Sequence, residues 1–474
     1  MKKFELLFIC TILNFGSIML KSQTLSPKEI GSIETMIKEE MLEAKIPGAA
    51  FGIINQNKVV YEKSFGIANF LTKTPLTDTS IFQIASVTKI FTSLALLTEL
   101  KNANISVDAP IGDLIKGLSP RLSKLTYHQL LSHTSGMVDL IPSPEEYSLD
   151  AYTFFRNAGD SLLFTEPGKV FSYSNIGYAL SGLALEKICN KPYSQAIQDI
   201  IINPLKLTNT TFDLYEVACR SFSVGHYFNS NLNIMSPYLS HLESPLVQAA
   251  GGLFSTIKDL ERVAICLINQ GELDGKQIID KDIIMTMSTG YAKNFMANGP
   301  YYGFMSYPNN AYCYGLFTFD YGKSKFIGNG GSASQMTYFI YEPEKKFAMI
   351  SINNSNSEFL INSFKKIFEV VLGEKELLLT NPFESKMEWK EIVGTYTLHS
   401  LKAKNESRLE IFIKEGSLYI KFGTSTEIKM DQIGVLTYKY IIPSARFPME
   451  VAFYRSSSGK VQYMSNFWRA WEKI

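Results

Sequence analysis

Phe82-Gln83-Ile84-Ala85-Ser86-Val87-Thr88-Lys89 is the stretch on which the reading of the fold turns. Its second half opens an apolar run, Ser86 to Leu100, with few charges, which reads as a buried central helix. Positions i and i+3 share a helix face, so Ser86 and Lys89 stand side by side at its start. A serine hydroxyl is a weak nucleophile until a neighbouring base takes its proton. A buried lysine can be that base, because desolvation disfavours its ammonium form. The same spacing recurs at Ser255/Lys258, Ser363/Lys366 and Ser457/Lys460, so spacing alone does not select a site. Context does: only Ser86 opens a nearly uncharged helix, where a lysine is costly.

Two further segments carry candidate chemistry. In Pro167-Gly168-Lys169-Val170-Phe171-Ser172-Tyr173-Ser174-Asn175, residues two apart in an extended loop point the same way. Tyr173 could then exchange a proton with the serine or the leaving group, and Asn175 could donate to a substrate carbonyl. Tyr227-Phe228-Asn229 and Tyr307-Pro308-Asn309 have the same spacing, and a loop tyrosine beside a turn asparagine explains it equally. Gly328-Asn329-Gly330-Gly331-Ser332 ends a strand, and its glycines permit close backbone approach by a ligand. The Ser332 and Ser86 amides could form an oxyanion hole. An ordinary bulge or turn is the other reading.

Composition bounds the alternatives. The chain has 474 residues, 46% hydrophobic, with 46 basic and 45 acidic side chains. That supplies a sizeable core and excludes a disordered or collagen-like chain. No basic excess is available to neutralise phosphates, which argues against nucleic acid as partner. The five cysteines, Cys10, Cys189, Cys219, Cys266 and Cys313, form no C-x-x-C pair, and no H-x-x-x-H pair occurs. No metal or other cofactor is therefore expected. Lys2 and Lys3 precede an apolar stretch from Phe4 to Leu20 and then polar Ser22 and Gln23. This order predicts a signal peptide over 1–22, a secreted or periplasmic protein, and no stable membrane span after cleavage.

The chain divides further by texture. Ser26-Pro27-Lys28-Glu29 reads as a capped helix start. Ala49 to Ile54 and Lys58 to Lys63 form a hairpin, and 325–329, 335–341 and 347–353 are three successive strands. Ser357 to Leu372 is an amphipathic helix with Gly373 in the stop position. Residues 374–386, with Asn381-Pro382, read as a linker between a domain at 23–373 and a small β-sandwich or barrel at 387–474. The last domain holds no serine–lysine pair in a strand-to-helix context, so it is expected to be dispensable for chemistry. Carbohydrate binding through Trp468 and Trp471 is a further reading of it, against the simpler one of core aromatics.

In this order the segments resemble the serine β-lactamase and penicillin-binding superfamily. The likeness is nearest to the class C β-lactamase-like group of D-alanyl-D-alanine carboxypeptidases, D-aminopeptidases and esterases. Flanking residues add to it: Leu130-Leu131-Ser132-His133-Thr134-Ser135-Gly136-Met137, and Ala250-Gly251-Gly252-Leu253-Phe254-Ser255-Thr256 with Asp259. The resemblance spans about residues 26–372. It implies an α+β fold in which an antiparallel sheet is flanked by helices and interrupted by a helical lobe. It implies Ser86 as nucleophile, Lys89 as its proton partner, Tyr173 as general base and acid, and Asn175 as a substrate holder. Asn329, Gly330, Gly331 and Ser332 would line the substrate, with the Ser86 and Ser332 amides as oxyanion hole. The C-terminal segment is similar to the β-domain often appended to such hydrolases, with Gly394-Thr395-Tyr396 as its opening. One position departs: Asn329 stands where the family usually has Lys or His, which weighs against a true β-lactamase. A small-molecule or peptide substrate follows, and the oligomeric state is not readable. A non-catalytic binding or assembly protein that keeps the fold is the competing expectation.

Overall fold

The computed structural model describes residues 24–139, 149–229, 232–238, 244–293, 310–355, 360–375, 389–399, 407–432, 437–441, 449–455, 459–466 and 469–474. The expected signal segment, Cys10, most of the expected linker, Tyr307, Asn309, Ser457 and Trp468 lie outside the described residues.

The N-terminal hairpin pairs with the late strands, so the chain's two ends build one sheet. Gly48–Asn55 runs antiparallel to Phe347–Asn353, with Ala49 opposite Asn353 and Asn55 opposite Phe347. Its other neighbour is Lys58–Asn69, reached through Gln56 and Asn57, both at left-handed φ as a tight hairpin turn requires. Phe347–Asn353 continues into Met336–Glu342, Ser324–Ser332 and Phe317–Tyr321, giving a nine-stranded antiparallel sheet. The strand expected at 325–329 is longer, spanning Ser324–Ser332. Gly330, Gly331 and Ser332 are paired strand residues rather than a turn, opposite Tyr338, Thr337 and Met336.

Alternation along Gly48–Asn55 sends side chains to two cores. Ala49, Phe51 and Ile53 join Ile33, Ile37 and Phe364, from helices Pro27–Glu43 and Ile361–Ile367. Ala50 and Ile54 join Leu260 and Val263 of helix Ile257–Ile268 and the lobe beyond it. The first helix is capped as its sequence predicts: the Ser26 hydroxyl accepts from the Glu29 amide at 3.3 Å, and Glu29 accepts from the Ser26 amide at 2.8 Å. Buried Glu40 caps the terminal helix in turn, accepting from the Asn362 and Ser363 amides at 2.9 and 2.8 Å. The described part of that helix begins at Ile361, Ser357 lying outside the described residues, and it ends at Gly373, whose φ is +71°. Between hairpin and late strands lies the helical lobe. Its centre is helix Thr88–Asn102, buried on nearly every side, against Asn175–Cys189 and Pro245–Gly251.

The C-terminal unit is a closed eight-stranded barrel, which decides between sandwich and barrel. Its strands include three that alternation did not reveal, Gly394–Leu398, Ile428–Gln432 and Arg469–Lys473. Leu409, Ile411, Leu418, Ile420 and Trp471 fill its interior, so Trp471 is core rather than a carbohydrate platform. Ile413 is half exposed, the end of the inward pattern. Glu374, read as the start of the linker, belongs to the first domain. Its carboxylate accepts from the Lys323 amide and the Ser324 hydroxyl, both at 2.8 Å, and pairs with Lys345. Among the described residues no helix is long and apolar enough to cross a membrane, and Cys189, Cys219, Cys266 and Cys313 are free thiols.

Candidate active site

A short 3-10 turn, Ala85–Val87, presents Ser86 at the head of the central helix. Ala85 adopts φ +46°, a left-handed conformation that costs an L-residue roughly 1–2 kcal/mol and persists only where surroundings impose it. What imposes it is close packing. The strand Ser324–Ser332 passes so near the turn that a Cβ on Gly331 would overlap the Ile84 carbonyl and press on the Ala85 Cβ. Gly331 is thus a steric requirement of the Ser86 turn.

Lys89, one helical turn on, is fully buried. Its Nζ lies 3.2 Å from Ser86 Oγ, 2.8 Å from Asn175 Oδ1 and 2.6 Å from the Ala250 carbonyl. It also sits 4.9 Å from the centroid of the Tyr173 ring and 5.4 Å from that of Tyr178. Burial lowers its pKa from 10.5 to about 7; Asp139 acts in the opposite sense and Arg469 adds to the lowering. Once deprotonated, Nζ can still use all three partners. An –NH2 group has two hydrogens, matched by the Asn175 and Ala250 oxygens, and one lone pair, left for the Ser86 hydroxyl.

The two other serine–lysine pairs among the described residues have no such geometry. Ser255 Oγ is 2.8 Å from the Thr210 hydroxyl, while Lys258 pairs with Asp78 at 2.5 Å. Ser363 donates to Glu40 at 2.6 Å and Lys366 pairs with Glu369 at 3.3 Å.

Tyr173 and Asn175 arrive together because the H-T-S-G turn staples their loop. The His133 carbonyl accepts from the Ser172 amide at 2.9 Å, and the Thr134 carbonyl from the Gly168 amide at 2.7 Å. His133 Nδ1 accepts from the Ser174 amide at 3.1 Å, which puts its proton on Nε2, 3.0 Å from the Tyr312 hydroxyl. Its ring lies 4.2 Å from that of Tyr173. Burial foremost, and the positive charges of protonated Lys89 and of Arg469, hold the imidazole pKa well below 6.5, so it is neutral. Ser174 caps helix Asn175–Cys189, accepting from the Gly177 amide at 3.1 Å. Asp139 adds a carboxylate at that N-terminus, accepting from the Asn175 amide at 2.8 Å and standing 3.4 Å from its Nδ2.

Asn329 requires a correction. The resemblance places it among the residues that line the substrate. It is buried, and its Nδ2 donates to the Gly315 carbonyl at 2.7 Å and the Ser86 carbonyl at 3.2 Å. Both amide hydrogens are used within the protein, pinning the strand to the Ser86 turn. Gly330 and Gly331 are buried strand residues beside it, and Ser332 is exposed at the strand's end.

Sequence reasoning missed His133 as an individual residue, the Ala250 carbonyl, Asp139 and Arg469. Arg469, the first residue of the last barrel strand, pairs with Asp139, and its guanidinium carbon lies 5.2 Å from the Tyr173 ring centroid. The barrel thus reaches the loop that carries Tyr173. The signal existed only across about 330 residues of sequence, where no periodicity reaches.

Fold and site together define a protein of the serine β-lactamase and penicillin-binding type, with a barrel appended. The chain belongs to the Beta-lactamase family, whose model matches residues 33–369. It is 26% identical over 344 residues to Protein flp of Staphylococcus aureus (strain MW2), covering 69% of this chain and 64% of that protein. The match thus spans a little under two thirds of that relative's length. Beta-lactamase-like protein 4 of Dictyostelium discoideum is 29% identical over 295 residues, 57% of this chain and 51% of that protein. Among solved structures, SurE superposes with a TM-score of 0.75 at 20% identity, covering 94% of this chain and 99% of its own. The octameric penicillin-binding protein homologue from Pyrococcus abyssi gives 0.65 at 25% identity, covering 93% and 99%. Such coverage takes in the barrel as well as the hydrolase fold.

Proposed function

We propose that this chain is an exported serine hydrolase that works through an acyl-enzyme on a peptide, amide or ester. One observation carries the reading: the fully buried Lys89 Nζ lies 3.2 Å from Ser86 Oγ, with Asn175 Oδ1 and the Ala250 carbonyl at 2.8 and 2.6 Å. Lys89 takes the Ser86 proton as Oγ attacks the substrate carbonyl carbon. The oxyanion that forms is held by the Ser86 and Ser332 amides. Tyr173 passes a proton to the leaving amine or alkoxide as the scissile bond breaks. Water then attacks the acyl-serine, losing its proton by the reverse route, and releases the acid. Asn175 supplies its remaining Nδ2 hydrogen to a substrate carbonyl.

The substrate class follows from charge. Family members with Lys in the third motif offer a cation to a substrate carboxylate, and Asn329 offers none. This supports neutral esters and peptide amides over penicillins and other carboxylate-bearing substrates, in the manner of D-aminopeptidases and esterases. The basic-then-apolar start of the chain supports export by a signal peptide. The test is a panel of ester, D-alanyl-D-alanine and β-lactam substrates on wild type and Ser86→Ala. Turnover lost with Ser86 supports the reading. A wild type inert to the whole panel and to a fluorophosphonate would instead support a binding protein.

A further inference from the structure

Arg469 belongs to the barrel, yet its charge is used in the hydrolase domain. It pairs with Asp139, whose carboxylate holds the Asn175 amide, and Asn175 Oδ1 holds Lys89 Nζ. The connection Arg469–Asp139–Asn175–Lys89–Ser86 is thus continuous. The Arg469 and Asp139 side chains are 27% and 14% exposed, so the pair is partly withdrawn from water. Truncating one partner would leave the other's charge poorly compensated.

The barrel is docked by other contacts too. The Tyr463 hydroxyl is 2.7 Å from Thr165 Oγ1, and the Ala470 amide donates to Ser172 Oγ at 3.2 Å. Val170 packs with Tyr463 and Ala470, and the Phe164 ring stacks on His399. All reach the loop that carries Tyr173. Docking therefore does not hang on Arg469, and its charge can be altered separately.

We propose that Arg469 is a positioning residue of the Ser86 site: by holding Asp139 it fixes the Asn175 amide that carries Lys89, and so makes the barrel a working part of the active site. This rests on the acyl-enzyme reading above. Around Lys89 stand Asp139 and Arg469, opposite in sign, with neutral His133 and the Tyr173 and Tyr178 rings. Without Arg469, Asp139 acts on Lys89 uncompensated and tightens its hold on the proton. Without Asp139, Arg469 loosens it.

The test compares full-length wild type, Arg469→Met, Arg469→Lys and Asp139→Asn. It reads kcat/KM on a neutral aryl ester against pH, the rate of Ser86 labelling by a fluorophosphonate, and Tm. Arg469→Met should lose about 10- to 100-fold in kcat/KM, as a misplaced catalytic group does, with its acid limb moved to higher pH. Asp139→Asn should move the limb the other way. Arg469→Lys, which keeps the charge, should return the limb towards wild type. A wild-type rate and limb in Arg469→Met would overturn the proposal, as would a rate loss with the limb unmoved. A loss confined to carboxylate-bearing substrates would make Arg469 a substrate contact and overturn it too. If Arg469→Met does not fold, the downward limb shift in Asp139→Asn decides, and its absence overturns the idea. A wild type that leaves Ser86 unlabelled defeats the parent reading instead, so the two failures are distinguishable.

Discussion

Lys89 Nζ lies 3.2 Å from Ser86 Oγ in a pocket that leaves the lysine no exposed surface. That single relationship sets the pH behaviour of the proposed reaction. Lys89 must be neutral to accept a proton, and burial brings its pKa to about 7. The logarithm of kcat/KM should therefore rise with pH up to about 7 and level off, where an exposed lysine would keep it rising to about 10.4. Lys89→Ala should cost about 10²–10⁴-fold, the usual worth of a positioned base. Stopped-flow acylation between pH 5 and 10 measures both.

Gly331→Ala should disable the site while sparing the fold's core. The new methyl meets the Ile84 carbonyl and the Ala85 Cβ, so the strand or the Ser86 turn must shift. Misplacement of order 1 Å costs about 10²-fold. The check is kcat/KM on a small ester beside circular dichroism. Full activity would mean that the turn tolerates displacement.

Asn329→Ala should act through stability and geometry rather than substrate charge. It leaves the Gly315 and Ser86 carbonyls without their donor. Each unsatisfied buried group costs about 1–3 kcal/mol, so Tm should fall by several degrees. Carboxylate-bearing and neutral substrates should lose kcat/KM by the same factor. A change in their ratio would show that Asn329 reaches the substrate after all.

His133→Phe should loosen the Tyr173 loop. Phenylalanine keeps the stack on Tyr173 but gives the Ser174 amide no acceptor and the Tyr312 hydroxyl no partner at that position. A loss of about 2 kcal/mol in stability, with a fall in kcat larger than any rise in KM, is the expected outcome. Thermal melts and steady-state kinetics on one ester provide it.

What the sequence revealed and what it hid divide along physical lines. Local signals were legible: the Ser26–Glu29 capping box, the hairpin around Gln56 and Asn57, the strand pattern at 336–353 and the apolar helix behind Ser86. Each is written within a few residues by capping, turn chemistry or periodicity. The strand from 324 to 332 was read too short because its glycines resemble a turn; only the neighbouring Ile84 and Ala85 explain them. The internal role of Asn329 is hidden because its carbonyl partners come from folded backbone that no motif encodes. Asp139 and Arg469 were invisible for the same reason: an ion pair across two domains leaves no local trace.

The most direct test of the central claim is fluorophosphonate labelling of the full-length protein across pH 5–9, followed by peptide mapping. The account predicts a single adduct on Ser86, a labelling rate that climbs up to about pH 7, and loss of that climb in Lys89→Ala. Label on any other serine, or a wild-type rate on Ser86 that still climbs steeply above pH 9, would contradict it.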